Sequence, residues 1–122
     1  TRDFNYVDDI VRAFVSVLSS DNGLGEFVNF GSNFEISVGD TARAIAEVMK
    51  VDIEIVTDQK RLRPEKSEVD RLWASNTKAL NLFGWQPAFS GLKGFKRGLD
   101  ETVQWFNHVH NLRAYKADIY NL

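Results

Sequence analysis

Cysteine is absent from this sequence. That absence excludes a disulfide scaffold, a thiolate nucleophile and any zinc knuckle or iron–sulfur site built on thiolates. It also fits a reducing compartment, and the expected location is cytoplasmic. No apolar run approaches the roughly 18 residues of a membrane-spanning helix, and the opening residues do not read as a basic-then-apolar leader. Charge of one sign is missing too: 15 Lys and Arg against 17 Asp and Glu leave a net charge of −2. Such a balance offers no electrostatic footprint for nucleic acid or an anionic membrane, so neither is an expected partner. With two prolines in 122 residues and no Gly/Ser-rich linker, nothing divides the chain. What is present suits one soluble core: 43% apolar and 26% charged residues, in a length that can bury about two thirds of its unfolded surface. The chain opens at Thr1 rather than Met and runs straight into the apolar-rich Phe4-Asn5-Tyr6-Val7, which suggests a piece of a longer protein.

Helix and strand signals alternate along it. Asp8 or Asp9 can cap a first helix with an inner stripe of Ile10, Val11, Phe14, Val17 and Leu18. Turn formers from Ser19 to Gly23 end it, and Gly23-Leu24-Gly25 reads as a turn. Strands are expected at 26–30 and 53–57, the second on the β-branched set Ile53, Ile55 and Val56. Between them Ser37 caps a second helix, with Asp40 in the capping-box position and a stripe of Val38, Thr41, Ala42, Ile45, Val48 and Met49. The charged stretch from Asp58 to Arg71 reads as an exposed loop or lid. A short helix over Thr77–Phe83 follows, with Ser75 or Asn76 as cap and Gly84 at its C-terminal end. Ser90 caps the longest helix, which runs to about His108 on Leu92, Phe95, Leu99, Val103 and Phe106. Gly94 and Gly98 cost that helix about 1 kcal/mol each relative to Ala, which close packing would explain. The tail 111–122 can form one more helix.

Several features that resemble chemistry are better explained structurally. The Gly91-to-Gly98 run has the wrong spacing for a dinucleotide fingerprint and lacks the preceding strand. His108 and His110 do not share a helix face, and a solvated terminal turn accounts for them. Asp8-Asp9 suits helix capping better than acid–base catalysis. Trp73, Trp85 and Trp105 lie on different elements. No Tyr is followed four positions later by Lys. No catalytic set and no metal site can be assembled from these residues. Two arginine positions remain, Arg2 and the Arg61-Leu62-Arg63-Pro64 run, because guanidinium groups suit two-pronged phosphate contacts. A basic loop closing on an anion and a solvated loop laced by Glu65, Lys66, Glu68, Asp70 and Arg71 are both open on local evidence.

Four ordered segments then point one way. Arg2-Asp3-Phe4-Asn5-Tyr6-Val7-Asp8-Asp9 resembles the R-D-F-x-Y-V-x-D segment of the extended short-chain dehydrogenase/reductases, the nucleotide-sugar epimerases and dehydratases. Gly25-Glu26-Phe27-Val28-Asn29-Phe30-Gly31-Ser32 is similar to their G-E-x-x-N-x-G-S stretch. Arg63-Pro64-Glu65 with Asn76-Thr77-Lys78-Ala79, and Leu82-Phe83-Gly84-Trp85-Gln86-Pro87, are similar to the R-P, K-A and L-G-W-x-P regions. The resemblance covers residues 1 to about 109.

It implies that residues 1–110 are the nucleotide-sugar-binding lobe of an NAD-dependent 4,6-dehydratase or epimerase, with 111–122 a tail. Arg2 and Arg63 match the arginines that contact the sugar-nucleotide diphosphate. The glycine fingerprint and the Tyr-x-x-x-Lys pair match nothing here, so no catalytic or cofactor-binding residue is expected in this chain. NAD would belong to an N-terminal Rossmann domain of the parent. The implied ligand is a UDP- or dTDP-linked hexose and the implied parent a homodimer. Ile36-Ser37-Val38-Gly39-Asp40 and Arg63 to Val69 lean toward dehydratases of UDP-N-acetylhexosamines. A decarboxylase or reductase lobe, or a non-catalytic scaffold of the same fold, is the alternative. The fold expected is a small mixed α/β lobe with four or five helices, short strands and no Rossmann sheet. An apolar face for the partner domain should be exposed, with Tyr6, Val7, Phe30 and Phe34 as its candidates.

Overall fold

The computed structural model describes residues 1–56 and 69–114. The expected lid therefore lies outside the described residues except for its last positions, 69–71, and so does the tail beyond Ala114. The described elements are β1 (Arg2–Asp3), α1 (Val7–Leu18), β2 (Glu35–Ile36), α2 (Val38–Met49), α3 (Thr77–Phe83), α4 (Gly91–Asn107) and α5 (Val109–Ala114). The two strands pair antiparallel, Arg2 opposite Ile36 and Asp3 opposite Glu35. This is the small mixed α/β lobe that the sequence predicts, with five helices and no Rossmann sheet among the described residues.

The strand positions need correction. Neither 26–30 nor 53–56 forms a strand. The end of the first segment is held by side chains instead of a ladder: Asn76 accepts from Gly31 N–H at 2.9 Å and donates to its carbonyl at 2.7 Å. Gly31, the residue after the expected strand, is thus paired through a side chain and not through a neighbouring strand.

Helix ends follow the sequence closely at α2 and α3. Ser37 Oγ accepts the Asp40 N–H at 3.0 Å and donates to the Asp40 carboxylate at 2.7 Å. Gly84 closes α3 at φ 64°, a left-handed turn that suits glycine. Gly23 and Gly25 also take positive φ in the predicted turn. At α1 the expected cap fails. Tyr6 is the N-cap and makes no side-chain capping bond, while Asp9 sits buried in the first turn and reaches across to α4's approach. Ser90 occupies the α4 cap position, but its hydroxyl donates to the Ser32 carbonyl at 2.6 Å.

Two small clusters form the core. Ala13, Ala79 and Trp85 are buried together with Val28, Phe30 and Phe83 against them; Phe30 meets Trp85 edge-on at 5.0 Å. Ile36, Ala44 and Phe95 form the second, with Phe34 and Leu99 packed on it, where α2 lies on α4. The glycines of α4 make this packing possible. A Cβ on Gly94 would lie 2.9 Å from the Phe89 Cα, and one on Gly98 would lie 3.1 Å from the Tyr6 ring.

The predicted stripe of α1 faces outward. Val11, Phe14, Val17 and Leu18 are exposed and Ile10 is half-buried, while Ala13 is the buried apolar residue. On α2 likewise Val38, Ile45 and Met49 are exposed while Ala44 and Ala46 are buried. An exposed apolar face is thus present, but of its four named candidates only Val7 is exposed. Tyr6 is half-buried, and Phe30 and Phe34 belong to the core clusters.

Candidate functional site

The site grows out of the β1–β2 pair. β1 carries Arg2 and Asp3 side by side, pointing to opposite faces of the strand as successive residues must. Asp3 turns inward and accepts three hydrogen bonds: Ser32 N–H at 2.8 Å, Ser32 hydroxyl at 2.5 Å and Ala74 N–H at 3.2 Å. One carboxylate thereby ties β1 to the 31–32 loop and to the segment entering α3. Among the described residues, no buried side-chain nitrogen or oxygen lacks a partner.

Residues 69–72 run along the other edge of Thr1 and Arg2. Leu72 N–H donates to the Thr1 carbonyl at 3.1 Å, and Thr1 N donates to the Asp70 carbonyl at 2.5 Å. Arg2 Nη1 donates to the carbonyls of Thr1 and Val69, both at 2.8 Å. Two acceptors on one nitrogen fix the plane of the guanidinium. The Nε–Nη2 edge of a guanidinium is the one whose spacing suits two oxygens of a phosphate.

Beside it, Glu35 on β2 accepts Arg71 Nε at 2.9 and 2.8 Å and Nη2 at 2.5 Å. The Thr1 hydroxyl donates to the same carboxylate at 2.6 Å. These bonds, Arg71's first, lower the Glu35 pKa from 4.5 to about 2. Arg71 also lies over the Trp73 ring, 5.2 Å from its centroid. The sequence groups Arg71 with solvated loop charges; the side chain is 61% exposed, and the structure adds its ion pair with Glu35. Its partner is 36 residues away and no local pattern announces it.

Of the two sequence-predicted site residues, Arg2 sits at this corner and Arg63 lies outside the described residues. Residue 69, six positions after Arg63, contacts Arg2. Sequence reasoning missed Glu35, Arg71 and the carbonyl of Val69; only the charges of Glu35 and Arg71 are visible in the sequence, not the strand that carries Glu35 or the pairing of the two.

The space beside Gly94 and Gly98 in α4 is taken by Phe89 and Tyr6 of the chain itself. No cluster of three His, Asp or Glu suited to a metal occurs among the described residues. No helix among them is long and apolar enough to cross a membrane.

Comparison with known proteins identifies the family. The family described as GDP-mannose 4,6 dehydratase matches residues 1–98. The human dTDP-D-glucose 4,6-dehydratase is 30% identical over 117 residues, covering 91% of this chain and 31% of the relative. A UDP-glucuronate 4-epimerase of Thermodesulfobacterium geofontis is 34% identical over 106 residues, covering 85% of the chain and 29% of the relative. A UDP-N-acetyl-alpha-D-glucosaminuronate decarboxylase of Bacillus cytotoxicus is 29% identical over 113 residues, covering 91% of the chain and 34% of the relative. The chain spans about a third of the length of the curated relatives it matches. No solved structure gives a significant match.

Proposed function

Since the chain belongs to the GDP-mannose 4,6 dehydratase family, among the extended short-chain dehydrogenase/reductases that include nucleotide-sugar epimerases, we propose that it is the substrate-binding lobe of an NAD-dependent nucleotide-sugar 4,6-dehydratase or epimerase. In this reading Arg2 and Arg63 clamp the diphosphate of a UDP- or dTDP-linked hexose. The observation that carries it is the guanidinium of Arg2, immobilised by two carbonyls at the corner where residues 69–72 meet β1. A planar cation held in one orientation loses little freedom when it meets a phosphate.

The lobe's contribution is positional. Holding the diphosphate fixes where the hexose lies, and such orientation can supply several kcal/mol of barrier reduction. NAD, which supplies the hydride acceptor, is assigned to the remainder of a longer parent, because the family's glycine fingerprint and Tyr-x-x-x-Lys pair match nothing in this chain. Family membership also carries the expectation of a homodimeric parent. The decarboxylase among the relatives keeps a second reading in view, in which the same lobe holds a nucleotide-sugar for decarboxylation.

Calorimetric titration of the 122-residue chain with NAD, UDP-glucose and dTDP-glucose tests the division of labour. The expected result is no NAD binding and at best millimolar nucleotide-sugar binding. Micromolar NAD binding would place the cofactor site in this lobe and overturn the assignment.

A further inference from the structure

We propose that Glu35 and Arg71 are positioning residues for Arg2: their ion pair pins the segment whose Val69 carbonyl orients the Arg2 guanidinium toward a bound diphosphate. This inference rests on the proposed diphosphate contact and adds to it two residues that touch no substrate.

The physical case begins with how poorly residues 69–72 are sealed. Val69 and Leu72 are each 51% exposed, and Asp70 and Arg71 are exposed as well. Burial of apolar surface therefore does little to fix the segment, and its place depends on polar contacts. One is a backbone bond, from Leu72 N–H to the Thr1 carbonyl. The strongest side-chain tie is the two-pronged contact of Arg71 with Glu35, made from a guanidinium that also rests on Trp73. A fork-shaped, charge-assisted pair fixes both distance and orientation, which a single point contact does not.

Glu35 is itself well placed to act as a fixed post. It stands opposite Asp3 in the two-stranded sheet, and Asp3 is anchored to the 31–32 loop and Ala74. Glu35 also accepts from the Thr1 hydroxyl, the residue whose carbonyl shares Arg2 Nη1 with Val69. The chain of contacts from Glu35 through Arg71 to the 69–72 backbone, and from there to Arg2, is continuous. Loss of the pair leaves Arg2 with its charge but without one of the two carbonyls that set its plane. Glu35 also neutralises Arg71 locally, so the anion meets Arg2 instead of a competing cation.

A double-mutant cycle in the natural protein at full length tests this, with UDP and dTDP as probes titrated by calorimetry and the tighter one carried forward. Arg71→Ala and Glu35→Gln should each weaken binding about three- to tenfold, while Arg71→Ala added to Arg2→Ala should change affinity less than about twofold, because coupled residues are not additive. NAD affinity should be unchanged in all variants. If Arg71→Ala fails to fold, Arg71→Lys with Glu35→Gln completes the cycle. Should Arg2→Ala weaken binding while Arg71→Ala and Glu35→Gln do not, or should Arg71→Ala weaken it equally in both backgrounds, the positioning role is wrong and the diphosphate contact stands. Should Arg2→Ala have no effect, or neither probe bind the unsubstituted protein, the diphosphate contact falls and this inference with it.

Discussion

The buried carboxylate of Asp9 accepts the backbone N–H of Phe89 at 2.9 Å, joining the first turn of α1 to the approach of α4 across 80 residues. The same group accepts Ala88 N–H at 2.8 Å and pairs with Arg12, while the Asp9 carbonyl accepts the Trp85 indole N–H at 3.2 Å. Asp9 is 1% exposed, and its carboxylate is held by these partners. The side chain is a tie between two halves of the lobe, and this explains an acidic residue at a buried helical position.

Asp9→Ala should therefore be among the most damaging single substitutions. Two backbone donors would lose their acceptor, at about 1–3 kcal/mol for each buried group left unsatisfied, while the half-exposed Arg12 can turn to water. Urea unfolding of the chain should show a lower midpoint with a destabilisation of roughly 2–4 kcal/mol. A loss within about 0.5 kcal/mol would mean that the tie is replaced by solvent.

Gly94→Ala gives a test of sign. Helix propensity alone predicts a gain of about 1 kcal/mol. The added Cβ would press on the Phe89 backbone, and overpacking of this kind costs about 1–3 kcal/mol, more where backbone must move. Gly94→Ala should lower the thermal midpoint, and Gly98→Ala should do so less, because the Tyr6 ring can give way. A midpoint raised by Gly94→Ala would contradict the packing described for α4.

The Glu35 carboxyl makes an acid-dependent contribution. Its folded pKa is depressed from 4.5 to about 2, chiefly by the hydrogen bonds from Arg71. A depressed carboxylate stabilises the fold fully above its unfolded value, and that stability is lost as pH falls through the folded one. The difference in thermal midpoint between the unsubstituted chain and Glu35→Gln should be constant above about pH 5 and shrink between about pH 4.5 and 2. A difference independent of pH over that range would contradict the ion pair.

Some of this was legible in the residues and some was not. Local chemistry carried through: the Ser37–Asp40 box, the Gly84 stop after Phe83, and the close packing behind Gly94 and Gly98 all depend on neighbours a few positions apart or on a missing Cβ. Periodicity located α1 and α2 but misplaced their inner faces. Ala13 and Ala44 lie against the core because small residues allow close approach, while Phe14 and Leu18 face out. Glu26–Phe30 pairs with no strand among the described residues, and Gly31 just beyond it is held by the Asn76 side chain, a partner 45 residues away that no local pattern announces. Arg2 was found through resemblance. Glu35 and Arg71 were not, since an ion pair spanning 36 residues leaves no spacing to read.

The claim at the centre is that Arg2 and Arg63 hold the diphosphate of a nucleotide-sugar. Its most direct test is calorimetric titration of UDP-glucose and dTDP-glucose into the natural protein at full length, with Arg2→Ala and Arg63→Ala beside the unsubstituted form and NAD as control. Each substitution should weaken nucleotide-sugar binding by about ten- to hundredfold, the loss of one two-pronged charged contact of about 1.5–3 kcal/mol, and leave NAD affinity unchanged. Unaltered nucleotide-sugar affinity in both variants would contradict the account.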